Sequence, residues 1–516
     1  MNKKSLITIL CFLMSIMILV TGCAGQKAET NDPAAAEPVK RDNVTVVEKS
    51  DLATLDPMTA TDRRIPVYQL YDTLVRDDDS KAGAVIPWLA ESWEISKDGT
   101  EVVFTIKENV KFHNGDTLTA EDVAFSINTA IASPYTQQMT SSMESAEVVD
   151  TNKVKVKLKY AYGPILGCFT CPETSILNKK AYEADKEGFS RNPVGTGAYR
   201  LKEWVKGDKI VLEAFPDYFK GEAAIKTVTY KVIGDASTAL VALEKGEVDV
   251  IVNPDQSARA SIIANKDLAF YECDANAIQL VSFNNSKGVF SNKKLREAVS
   301  YAIDKEAIIM GAKEGVATSV DAPILPNYAG YPDNFKGNPY DVEKAKQLVA
   351  EAGYPNGLKV KMKTIDSEIY IKPTEIIQEQ LRKIGIDVEI EIMARGKWME
   401  DVVTNANYDI TFWAIVAPVS DADFCMYSQF HSSKTGGNGN FAECKIPELD
   451  KLLEQGRQSQ DLEERVEIYR KACNIVKEES VLVPILLGKR QYATNKDLLG
   501  VKINPAMKMY SHDWSW

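Results

Sequence analysis

A chain of 516 residues with 45% hydrophobic and 26% charged side chains is long enough for about three structural units and too apolar for a disordered or fibrous protein. Its 61 Lys and Arg stand against 73 Asp and Glu, a formal net charge of −12, so no general positive field draws it to nucleic acid or to an anionic membrane surface. Three histidines, His113, His431 and His512, leave few candidates for general acid–base catalysis or metal ligation, which sets enzymatic readings behind binding ones.

Lys3 and Lys4 precede an apolar-rich run from Leu6 to Val20, shorter than the roughly 20 residues a stable membrane-spanning helix needs. Residues 1–22 therefore read as a signal peptide. The run closes in Val20-Thr21-Gly22-Cys23, which resembles the lipobox of bacterial lipoproteins, where cleavage precedes a lipidated cysteine, so Cys23 is the expected lipidation site. Residues 23–42 carry Ala, Pro and charges, with Val39 as the single large apolar side chain, and read as a flexible tether. The body is expected outside the cytoplasm, at the cell surface or in the periplasm, held to the membrane by lipid rather than by a spanning helix.

Six cysteines remain once Cys11 leaves with the signal peptide and Cys23 takes lipid. Cys168 and Cys171 have CxxC spacing, but no second pair or nearby His completes a zinc set, which favours buried thiols or a local bridge. Cys425 and Cys444 bracket the Gly-rich stretch KTGGNGN and are placed for a loop-closing disulfide.

Along the body, Asp77-Asp78-Asp79 lacks the ligand spacing of a calcium loop and reads as a solvated turn. Val102, Phe104 and Ile106, then Val110 and Phe112, alternate with polar residues across Lys107–Asn109 and predict a hairpin with one buried face. Thr119 and Asp122 form a capping box with Asp in place of Glu, ahead of Val123, Ile127 and Ile131 at helical spacing. Val154, Val156 and Leu158 alternate with lysines as a strand. Ser291 precedes one amphipathic helix (Leu295, Val299, Ala302, Ile303) and Thr374 another (Ile377, Leu381, Ile384). The latter lies between the alternating stretches LKVKMKT and IDVEIEIM, a strand–helix–strand unit over 358–393 that favours a parallel sheet. The predicted class is α/β, with a more antiparallel section between about 76 and 192.

No nucleophile elbow, P-loop or HExxH motif occurs, and Gly195-Thr196-Gly197-Ala198-Tyr199-Arg200 ends in Arg where a dinucleotide fingerprint needs Gly or Ala. His113, in KFHNGD, reads as a hydrogen-bonded structural residue, and His431 has no spaced partners for a metal.

The stretch LDPMTATDRRIPVYQLYDTLVRDDD, continuing through IPWLAESWEISKDGTEVVFTIKENVKFHNGDTLTAEDVAFSI, resembles the N-terminal signature of family 5 extracellular solute-binding proteins, the receptors of ABC importers for peptides, nickel chelates, glutathione and related solutes. NPVGTGAYRLKEW, LEKGEVDVI, FNNSKGVFSNKKLREAVSYAIDKEAI, DVEKAKQLVAEAGYPNG and LRKIGIDVEI continue the resemblance in order, over residues 44–500. It implies a class II periplasmic-binding-protein-like bilobal fold with an extra subdomain in lobe I. Lobe I would hold 43–75, 193–280 and 492–516, the extra subdomain 76–192, and lobe II 281–491, with the hinge at crossings near 280 and 491. It also implies a receptor without catalysis or cofactor, acting as a monomer and docking on permease subunits. Peptides lead the ligand classes, ahead of nickel chelates, opine-like compounds and oligosaccharides. A signalling or chaperone-like role on the same fold is the alternative.

In peptide receptors of the family, an Asp shortly after the Trp of a lobe II strand pairs with the peptide ammonium. Here the strand ends Phe412-Trp413, Val416 stands about where that Asp belongs, and the acids come later, at Asp421 and Asp423. The loop that holds the ligand carboxylate through an Arg reads Asp366 to Lys372, with Tyr370 but no Arg, so Arg395 or Lys372 is the expected substitute. Expected ligand contacts are therefore Trp413 and Trp398 by stacking, Tyr370, Arg395 for an anion, and Asp421 or Asp423 for a cation.

Overall fold

The chain divides into two units, Met1–Arg41 and Asp42–Trp516. The computed structural model describes residues 41–60, 65–437 and 439–516, so the signal peptide, Cys23 and most of the tether lie outside the described residues. The strands, in chain order, are β1 (Asn43–Glu48), β2 (Val75–Asp77), β3 (Val85–Pro87), β4 (Ala90–Ile95), β5 (Glu101–Ile106), β6 (Met143–Asp150), β7 (Lys153–Leu158), β8 (Tyr199–Val205), β9 (Lys209–Ala214) and β10 (Thr227–Val232). They continue as β11 (Val250–Val252), β12 (Leu268–Phe283), β13 (Thr318–Ser319), β14 (Leu358–Ile365), β15 (Ile386–Met393), β16 (Ile410–Val416) and β17 (Leu482–Asn495). The helices that matter below are α1 (Ala120–Ala132), α2 (Lys293–Ala302), α3 (Lys305–Lys313), α4 (Glu368–Arg382), α5 (Ala422–Phe430), α6 (Pro447–Gln458) and α7 (Leu462–Glu478).

The antiparallel section forms a four-stranded sheet in the order β4-β5-β7-β6. Alternation places its sides: Val102, Phe104, Ile106, Val154, Val156 and Leu158 are buried, while Lys155 and Lys157 lie outward against Glu147 at 2.9 and 3.4 Å. β5 pairs with β4 and β7 instead of forming the expected hairpin with Val110 and Phe112. Those two side chains are buried, but their segment closes on itself, with Phe112 N donating to Asp116 O and Leu118 N to Val110 O. The capping box of α1 forms as predicted, each of Thr119 and Asp122 accepting the other's amide.

The larger sheet has 11 strands along the path β15-β14-β16-β12-β17-β11-β1-β10-β9-β8, with β13 paired to β17. β14 pairs in parallel with β15 and with β16, confirming the strand–helix–strand unit. α2 is capped by Asn292 rather than Ser291, and α4 begins at Glu368, well before Thr374, carrying Pro373 inside it. β12, of 16 residues, and β17, of 14, run past each other through both halves of the sheet. Their register breaks between Asp274 and Ile278, so the ladder is weakest where the halves meet. One core gathers the faces of β14–β16 under α2–α4, with Phe283, Leu295, Ile377 and Ile485 fully buried. A second unites β1, β8–β10 and the 76–192 section with α5–α7.

All six described cysteines are free thiols, and Cys425 and Cys444 do not form the expected bridge. Cys444 lies instead against Phe430 O and Asn440. Asp77 is not a solvated turn residue either, because Lys508 pairs with it.

Candidate functional site

Because β14, β15 and β16 run parallel, their C-terminal ends open on one edge, the place where α/β sheets hold ligands. Trp413 sits there half-buried, 5.7 Å from Trp398 and edge-on to Phe441 at 4.4 Å between ring centres. Val416, at the end of β16, is 49% exposed. Tyr370, in the first turns of α4, is half-buried; burial raises its hydroxyl pKa and Arg395 opposes the shift. Arg395, at the exit of β15, is exposed and makes no ion pair among the described residues. Trp413, Tyr370, Arg395 and Val416 therefore share an accessible, mostly apolar edge.

Trp398 is not accessible to a ligand. It is 1% exposed and donates from Nε1 to Thr411 Oγ1, so it supports Trp413 from behind. The acidic pair is also buried, each carboxylate already holding a cation. Asp421 caps α5 and receives Arg465 Nη1 and Nη2 at 2.7 and 2.5 Å. Asp423 receives Arg457 Nε and Nη2 at 3.2 and 3.0 Å and the Tyr162 hydroxyl at 3.0 Å. The expected clamp of these acids with Arg395 is not assembled, since a buried carboxylate takes the nearest fixed cation. Those arginines belong to α6 and α7, and no spacing in the sequence ties them to positions 421 and 423.

Across the edge, Asp255 follows β11; the Ser257 hydroxyl and amide, with Lys49 and Lys372 further off, hold its carboxyl below the usual range. Lys372 itself meets Glu368 at 3.5 Å. A cavity of about 380 Å³ lies between loop 77–84, Asn327 and Tyr328, Pro418 and Ser420, and the segment 504–508. Where the register of β12 and β17 breaks, Asp274 accepts from Lys489 and Thr318, both at 2.7 Å. Arg490 reaches Pro505 O and Asn276 Oδ1, both at 3.4 Å, and Asn276 Nδ2 donates to Ala417 O at 3.2 Å.

His113 is structural: Nε2 faces Gly197 O at 3.0 Å, Nδ1 accepts from Gly195 N, and burial lowers its pKa to about 4. Gly195 and Gly197 press on the Leu70 and Gln69 carbonyls, leaving no room for a Cβ. His431 stacks on Tyr427 and bonds Ser433. Among the described residues no group of three or more His, Cys, Asp or Glu is placed for a metal, and no helix is long and apolar enough to cross a membrane.

A mixed α/β body whose parallel strands open on one edge matches the fold of solved periplasmic binding proteins. Residues 84–437 match the family model of bacterial extracellular solute-binding proteins, family 5 (middle), and the chain belongs to that family. It is 28% identical to the oligopeptide-binding protein AppA of Bacillus subtilis (strain 168), over 100% of this chain and 99% of AppA. It is also 28% identical to the glutathione-binding protein GsiB of Salmonella typhi, over 92% of this chain and 94% of that one. Among solved structures, the periplasmic binding protein DppA of Helicobacter pylori in complex with peptide STSA superposes with a TM-score of 0.78 at 26% identity, covering 91% of this chain and 98% of DppA. The family is one of extracytoplasmic solute receptors rather than enzymes.

Proposed function

We propose that this protein is a lipid-anchored receptor that captures a peptide between two lobes and delivers it, unaltered, to the permease of an ABC importer. The observation that carries this reading is the strand pair β12 and β17, whose register breaks between Asp274 and Ile278 beside the open ends of β14–β16. Lobe I comprises 43–75, 193–280 and 492–516 with the subdomain 76–192, and lobe II comprises 281–491. A ligand touching both lobes binds the closed state better than the open one and shifts the population toward it. Tyr370, Trp413 and Val416 supply the apolar lobe II wall, and Arg395 a charge at its rim. Asp421, Asp423 and Trp398 keep that wall in shape instead of touching the ligand. The peptide class is supported by what AppA, GsiB and DppA are named for. Val416, apolar where peptide receptors of the family place an ammonium-pairing Asp, favours as second reading a chelate or opine-like solute in the same role.

Two measurements test this. Small-angle scattering of the full chain in detergent should show a smaller radius of gyration with a saturating mixed peptide digest, with every peptide recovered unchanged. An unchanged radius with peptide retained counts against a closing cleft, and cleaved peptide against a pure receptor. Cys23→Ala should move the protein out of the membrane fraction, because the lipid supplies the retention. Persistence there after a salt wash rules out the anchor.

A further inference from the structure

Arg76, Arg296, Arg457 and Arg465, buried or half-buried among the described residues, are satisfied in two ways. Arg465 and Arg457 hold Asp421 and Asp423, and Arg76 holds Asp72 at 3.1 Å between the rings of Trp88 and Tyr510. Arg296 makes no ion pair among the described residues, but four bonds to the carbonyls of Phe290, Ser291, Glu479 and Ser480, from 2.7 to 3.3 Å, use its donors. Arg490 fits neither pattern. It is half-buried, makes no ion pair among the described residues, and its two hydrogen bonds, to Pro505 O and Asn276 Oδ1, are both long at 3.4 Å. Its neighbour Lys489 takes the acid available at the hinge, Asp274 at 2.7 Å. Burial lowers the Arg490 pKa, opposed by Tyr492 and Cys273, with no carboxylate contributing. A guanidinium has five donors, and one partly withdrawn from water without an anion is unfavourable.

Its position says what the cost is for. Arg490 lies on β17 across from Cys273, at the register break between the two halves of the sheet. Strand alternation puts it on the same side as Gly488, where a Cβ would meet nothing within 4 Å. Asn276 links it to Ala417 O, next to exposed Val416.

We infer that Arg490 seats an anionic group of the ligand, a carboxylate by preference, at the floor of the cleft. This rests on the receptor reading above and deepens it. A planar carboxylate can take two parallel N–H bonds from the guanidinium, displacing the long ones. Arg395, out at the rim, is then secondary. With a guanidinium rather than an acid at the hinge and Val416 at the strand end, the site selects ligands by their negative end.

The test uses the full chain in detergent, unsubstituted and as Arg490→Gln and Arg490→Lys, with a casein peptide digest before and after methyl esterification of its carboxylates. Native mass spectrometry should show the unsubstituted protein retaining free-acid peptides at least tenfold better than esterified ones. Arg490→Gln should lose the preference and Arg490→Lys should keep part of it. In the absence of ligand, Arg490→Gln should melt no lower than the parent, because an unsatisfied charge has been removed; a lower melting point makes the residue structural and overturns the proposal. No free-acid preference, or one that Arg490→Gln keeps, also overturns it. If the unsubstituted protein retains neither digest, the peptide reading fails, and citrate decides on Arg490 alone. A citrate-dependent rise in melting temperature that Arg490→Gln lacks then supports the anion seat, and an equal rise or none overturns it.

Discussion

The Lys313 ammonium, at the end of α3, donates to the Ile369 carbonyl in the first turn of α4 at 3.2 Å. That carbonyl lies four residues before Pro373, whose ring removes the amide that would otherwise bond it. A lysine from another helix thus repairs the gap a proline makes, beside the ligand edge.

Burial, with Lys372 nearby, lowers the Lys313 pKa from 10.5 to about 8. The unfolded chain then holds this proton to higher pH than the folded one, so the Lys313 contribution to stability rises as pH climbs from about 8 to 10.5. Urea denaturation of the parent and Lys313→Met should differ in pH slope over that window by about 1–3 kcal/mol, discounted for partial exposure. Parallel slopes show that the lysine is not desolvated.

Asp421→Asn should cost about 3–5 kcal/mol of stability, because it leaves the buried Arg465 guanidinium without its counter-charge. Replacing both partners, as Asp421→Leu with Arg465→Met, should recover most of that loss. Equilibrium denaturation measures both. Peptide affinity of the folded Asp421→Asn fraction should stay within threefold of the parent.

Gly163 lies where the 76–192 section meets α6, its amide donating to Arg457 O at 2.8 Å, and a Cβ there would fall 2.3 Å from Ser459 O. Backbone cannot rotate away as a side chain can, so Gly163→Ala should destabilise by about 1–3 kcal/mol. Gly396→Ala, where a Cβ meets nothing within 4 Å, is the control and should be neutral or slightly stabilising. Thermal melts of the two variants make the comparison.

His113, with a folded pKa of about 4 against 6.5 unfolded, binds its proton more weakly in the native state. Its contribution to stability is therefore full above pH 6.5 and lost as pH falls toward 4, by at most about 3 kcal/mol. His113→Gln should flatten the decline between pH 6.5 and 4 in chemical denaturation. An unchanged decline assigns it to other groups.

Local order was legible in the chain itself. Alternation around Val154 marked a strand with one buried side, Thr119 and Asp122 marked a helix start, and two alternating stretches around a helix marked a parallel pair. These signals depend on neighbours within a few residues, so the sequence carries them directly. The hairpin after Ile106 failed because β5 had two better partners, β4 and β7, and pairing is a competition across the whole sheet. Pro373 argues for a helix boundary near Thr374, and the bond from Lys313 to the Ile369 carbonyl, 56 residues apart in the chain, offsets the cost of the earlier start of α4.

The site divides along the same line. The sequence by itself determined that this is a solute receptor of its family and put Trp413 and Tyr370, which the fold brings to one edge, among the expected ligand contacts, since motif order and strand periodicity are properties of the chain. Only the tertiary structure decided which charges are free. Asp421 and Asp423 are bound to Arg465 and Arg457 from distant helices, while Arg490, unremarkable in its strand, makes no ion pair among the described residues. Coulombic attraction and desolvation act over a few ångströms of space regardless of chain separation, so the charge state of a cleft is a property of the fold.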